Sequence, residues 1–99
     1  MSLDEIELDA RRLILYLSQE NYEEALSVIG RNLPNLGLFS EKLEPQLLVR
    51  DAVNFYVGLR REGKDREAYI FSLVISDPVT GMLRREILDE HFYSSFLKK

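Results

Sequence analysis

Ninety-nine residues, 45% of them hydrophobic, suit one domain built on one core rather than a disordered chain. The absence of cysteine excludes disulfides, thiolate zinc sites, iron–sulfur clusters and a cysteine nucleophile, and fits a reducing compartment. A net charge of −4 disfavours a nucleic-acid partner.

The first residues, MSLDEIELDARR, are acidic and amphipathic and carry no basic segment followed by an apolar run of the secretory kind. No apolar run approaches the roughly 20 residues of a membrane span. The expectation is a cytoplasmic protein, residues 1–99 forming a single helical domain that binds neither membrane nor nucleic acid.

Ser2 and Glu5 form a capping box, so a helix should begin there. Ile6, Ala10, Leu13, Ile14 and Leu17 give it one apolar stripe. Asn21 offers a second cap, and Tyr22, Ala25, Leu26, Ile29 and Leu33 follow on one face. The short gap between the two predicts a helical hairpin. Pro34 should end the second helix, leaving an apolar connector, LPNLGLFSEKLEP, punctuated by Pro and Gly. Pro45 suits the first turn of a third helix. That helix carries Leu48, Ala52, Phe55, Tyr56 and Leu59 on one stripe and Val49, Val53 and Val57 on another. Arg60 and Arg61 favour its last turn, and Gly63 its end.

Residues 68–75 are apolar without a clear period, so local pattern leaves strand and helix both open. A strand there would need a hairpin partner beyond the DPVTG turn, and MLRREIL would put charges on both of its faces. Read as a helix capped by Thr80, the tail aligns Leu83, Ile87, Leu88, Phe92 and Phe96. Helix is therefore expected for 65–76. The predicted fold is all-α, with four or five antiparallel helices; the alternative is α+β with a C-terminal β-hairpin.

ENYEEALSVIGRN and GKDREAYIFSLVI align on Glu24-Ala25 and Glu67-Ala68, each after a polar turn and a longer helix. This pattern resembles the tetratricopeptide (TPR) family, whose second helix commonly opens Gly-x-Tyr-x-x-Ala. The first copy keeps Tyr22 and Ala25 but has Glu20 in place of the Gly; the second keeps Gly63 and Ala68 but lacks the Tyr. Tyr16 stands where the family often has an aromatic. The two alanines are 43 residues apart, against about 34 in the family. The resemblance implies stacked helical hairpins that bind a protein partner; a plain helical bundle is the other reading. DPVTGMLRREILDEHF, residues 77–92, resembles the opening of diguanylate cyclase domains through Asp77, Thr80, Gly81 and Arg85. No nucleotide-binding loop follows in the sequence, so no cyclase activity is carried over.

No P-loop, nucleophile elbow, dinucleotide fingerprint or His-Glu-x-x-His motif occurs. The lone His91 lies beside Asp89 and Glu90, whose side chains diverge around a helix and do not converge on one metal. The expectation is a protein that is not an enzyme and needs no cofactor. Its function would be a non-catalytic protein-interaction module, with a protein partner or a second copy bound through Leu36, Leu38, Phe39, Phe92 and Phe96. The alternative is a regulatory domain holding a small ligand between helices, against Phe55, Tyr56 and Phe71. Asn54 is a further candidate for lining a groove.

Overall fold

The structure, a computed structural model, describes residues 2–75 and 83–97. Among these residues it is all-α. Six helices occur in the order α1 (Leu3–Ser18), α2 (Tyr22–Arg31), α3 (Leu36–Leu43), α4 (Val49–Arg61), α5 (Asp65–Ile75) and α6 (Arg85–Leu97). Short 3-10 turns, Leu33–Asn35 and Glu44–Gln46, flank α3. The expected number of helices was four or five, and α3 accounts for the difference.

α3 forms inside the segment that Pro34, Gly37 and Pro45 made read as a connector. Both prolines sit in the flanking 3-10 turns, where a missing backbone donor is tolerated. Between them Leu36, Phe39 and Leu43 recur at helical spacing, and Phe39 and Leu43 are fully buried. Pro45 consequently does not open the third predicted helix; α4 begins at Val49. Residues 65–75 are helical, as context rather than periodicity had argued. The DPVTG turn and the Thr80 cap lie outside the described residues.

Ser2 caps α1, its Oγ accepting the Glu5 amide at 3.2 Å. Asn21 makes no side-chain cap on α2. The ends of α1 and α4 are built alike. The Asn21 amide donates to the Tyr16 carbonyl at 2.8 Å and the Glu20 amide to Leu17 at 3.1 Å; the Lys64 amide donates to Leu59 at 2.8 Å and the Gly63 amide to Arg60 at 3.1 Å. Both are Schellman caps, and each needs a left-handed residue at its centre. Gly63 supplies it at φ 78°, and Glu20 does so at φ 56°. The glycine missing from the first copy is thus replaced by a glutamate holding the glycine's conformation. Five residues further on, Ala25 and Ala68 are both fully buried.

Two stability effects of opposite sign follow. Gly63→Ala should cost about 1 kcal/mol, because a Cβ is disfavoured in the left-handed region. Glu20→Gly should gain about 0.5–1 kcal/mol by relieving the same strain. Urea midpoints of the two variants check both, and a destabilised Glu20→Gly protein would contradict this cap geometry.

The hairpins α1–α2 and α4–α5 are joined through α3, which packs on both α1 and α5. α6 lies against α4, and α1 also meets α4. One continuous core results, with Ile6, Leu13, Phe39, Leu43, Phe55, Leu59, Phe71 and Leu88 contributing from five helices. Val28 is buried on α2, whereas Leu33, expected on its face, belongs to the following turn and is exposed.

A single buried carboxylate ties α1 to the end of α2. Asp9, inside the apolar stripe, accepts from Arg12 Nη1 at 3.0 Å, Arg31 Nη2 at 3.2 Å and Asn32 Nδ2 at 2.9 Å. Asn32 Nδ2 also donates to the Val28 carbonyl at 2.7 Å. Burial pushes the Asp9 carboxyl up, but the hydrogen bonds from Asn32, Arg31 and Arg12 outweigh it and hold its pKa below the ordinary carboxylate value.

Candidate functional site

Residues 33–49 place their large apolar side chains in two ways. Phe39 is 0% exposed, and beside it the Ser40 hydroxyl donates to the Val74 carbonyl of α5. Phe39 therefore serves the core and is not available to a partner as the sequence reading proposed. Leu36 is half-buried against the core. Leu38 points outward at 44% exposure, together with Leu33 at 43%, Leu48 at 55% and Val49 at 60%. α3 thus anchors through one face and leaves leucines on and around the other.

Of the two aromatic residues expected near the C-terminus, Phe92 is the one whose side chain is described. Phe92 is half-buried beneath the Arg60 guanidinium, whose Cζ lies 4.4 Å from the ring centroid. The Phe96 side chain lies outside the described residues. Tyr93 and Leu97 on the same helix are exposed.

Phe55, Tyr56 and Phe71, expected to line a ligand site, are core residues. Phe55 stands edge-on to Phe71, their centroids 4.7 Å apart at 88°, and Tyr22 closes on Phe55 at 5.0 Å. Tyr56 has a polar role as well. Its hydroxyl donates to Asp89, while Arg60 Nη1 donates to both the Tyr56 oxygen and Asp89 Oδ1 at 2.8 Å. Arg60 Nε also lies 2.9 Å from Asp65 Oδ1, and Arg85 Nε lies 3.8 Å from Asp89 Oδ2. Burial, and then the Asp89 carboxylate, raise the Tyr56 hydroxyl above its ordinary pKa and keep it a neutral donor. This cluster fastens α6 to α4 and to the start of α5, which makes it a structural clamp.

On another face of the same two helices lies an open cleft of ≈ 540 Å³. α4 contributes Val53, Asn54, Val57, Gly58 and Arg61; α6 contributes His91, Ser94 and Ser95. Arg61 Nη2 spans it, donating to the Ser95 carbonyl at 3.1 Å and to the Ser95 hydroxyl. Asn54 lines this cleft, as the sequence reading had proposed; Tyr56 does not. The sequence places Val53 and Val57 on an apolar stripe of the third predicted helix, and weighs His91 only as a metal ligand. The available signal was the spacing of His91, Ser94 and Ser95 at i, i+3 and i+4, which puts three polar groups on one side of a helix.

Among the described residues no group of three or more His, Asp or Glu side chains is placed to hold a metal ion, and no helix is long and apolar enough to cross a membrane. The geometry defines an all-α chain of two similarly capped helical hairpins with an extra helix between them and one behind. No protein-family model, curated protein or solved structure matches it.

Proposed function

We propose that the chain is a non-catalytic protein-interaction module, with residues 33–49 as its contact surface. The observation that carries this reading is the exposure of Leu33, Leu38, Leu48 and Val49 along a segment whose other face is fixed in the core by Phe39 and Leu43. Covering a half-exposed leucine or valine contributes about 1 kcal/mol, so four of them on a firmly held backbone supply a useful fraction of an association energy. The partner is another protein or a second copy of this chain. The likeness to TPR hairpins supports the same class of function. In that view α3 occupies the extra length between the two copies.

Affinity capture from native lysate, run with the wild type beside a Leu38→Ser/Val49→Ser variant, tests this reading. Paired with the mass of each protein across concentration, it is expected to give a stoichiometric partner or a concentration-dependent dimer that the folded variant loses. Equal capture and equal mass for the two proteins would remove residues 33–49 from the account.

A second reading, a regulatory domain that takes a small ligand between helices, is favoured by the cleft between α4 and α6. Its walls come from two helices, and its volume lies within the usual range for small-molecule sites, about 300–1,000 Å³.

A further inference from the structure

Among the described residues, the polar side chains lining the cleft between α4 and α6 are Asn54, Arg61, His91, Ser94 and Ser95, with no carboxylate among them. This is unusual for its surroundings, since the chain carries a net charge of −4 and the two helices hold Asp51, Glu86, Asp89 and Glu90. Asp89 is drawn to the other side of α6 by Tyr56 and Arg60. The polar groups left in the cleft, among the described residues, are the cation of Arg61, the imidazole of His91, the amide of Asn54 and the hydroxyls of Ser94 and Ser95. They come from both walls, so they can close on one group from two sides.

Arg61 is already oriented. Its Nη2 donates twice to Ser95, while Nη1 and Nε make no hydrogen bond among the described residues. The guanidinium keeps its charge and offers Nη1 or Nε to an oxyanion as a single charge-assisted donor. Ser95 accepts from Arg61 through its oxygen, so its own proton stays available to a ligand. Beside these groups Val53 and Val57 give the α4 wall an apolar strip, suited to the body of a ligand rather than its charged head.

We infer that this cleft binds a small phosphate monoester, with the phosphate between Arg61 and the Ser94/Ser95 hydroxyls and the apolar body along Val53 and Val57. A carboxylate offers two oxygens, whereas the guanidinium, imidazole, amide and two hydroxyls together match the three terminal oxygens of a phosphate. The inference rests on the ligand-binding reading and is independent of the surface at residues 33–49.

The test is titration of the full chain with phenyl phosphate, benzoate and benzyl alcohol in parallel, followed through the backbone amides by NMR. Phenyl phosphate is expected to saturate, moving the amides of Asn54, Gly58, Arg61, His91, Ser94 and Ser95. Benzoate should bind more weakly and benzyl alcohol weakest. Arg61→Gln should weaken phenyl phosphate by about tenfold or more, the usual loss for a charge-assisted hydrogen-bonded contact. Because Arg61 also holds Ser95, Asn54→Leu is the second variant; it leaves that bond in place and should weaken the same probe several-fold with the melting temperature unchanged. Equal or tighter binding of benzoate in the cleft would overturn the phosphate assignment. Equal binding of benzyl alcohol would overturn any oxyanion role and leave the ligand reading standing. No saturable shift with any probe would overturn both.

Discussion

Phe39→Ala is expected to cost about 3–5 kcal/mol of folding stability, while Leu38→Ala, one residue away, should cost less than about 1 kcal/mol. Phe39 is wholly buried on α3, which packs on α1 and α5, so truncation removes a buried ring and leaves a cavity that the surrounding side chains fill only in part. Leu38 loses an outward side chain that already meets water. Urea denaturation of both variants checks the pair. A large effect at Leu38 with a small one at Phe39 would reverse the face of α3 and move the proposed contact surface with it. The contrast also governs how binding is probed: a Phe39 variant reports on folding, and only Leu38 and its exposed neighbours report on contact.

Asp9→Ala should cost about 2–3 kcal/mol at neutral pH, the loss expected when a buried carboxylate with charged hydrogen-bond partners is removed while those partners can turn to solvent. Arg12 and Arg31 are each about half exposed, which moderates the loss; Asn32 is fully buried and has nowhere to turn. The effect depends on pH in a defined sense. The folded-state pKa of Asp9 lies below its ordinary value, so the folded chain binds its proton more weakly than the unfolded chain. The stabilisation is therefore full above the unfolded carboxylate value of about 3.9 and is lost as pH falls through the lower folded value. Wild type and Asp9→Ala should differ by a constant amount above about pH 5 and converge in acid. Urea midpoints at neutral pH and in acid measure this, and a difference that persists unchanged in acid would contradict a charged Asp9.

The helices were legible wherever a capping residue and a single apolar stripe coincided, as in α1, where Ser2 precedes Ile6, Ala10, Leu13 and Leu17. α5 gave no such stripe, because its residues are buried on a wide arc, including Ala68, Phe71, Ser72, Val74 and Ile75. Only the poverty of a strand partner pointed to helix there. α3 was missed for the opposite reason: its stripe of Leu36, Phe39 and Leu43 was present, but two prolines and a glycine read as loop punctuation outweighed an eight-residue element. Reading it as loop also turned Phe39 into a surface candidate. Asp9 passed unnoticed because its partners Arg31 and Asn32 lie more than 20 residues away and meet it only when α1 and α2 pack. The cleft was half visible. Each wall has polar groups at helical spacing, but nothing in the sequence says that residues 53–61 and 91–95 face one another.

Hydrogen–deuterium exchange of the chain, alone and with its captured partner or at a concentration where it self-associates, tests the interaction reading most directly. The account predicts added protection within residues 33–49, strongest around Leu38 and from Leu48 to the first turn of α4. Protection confined to other helices, or a bound state that leaves 33–49 exchanging as in the free chain, would contradict it.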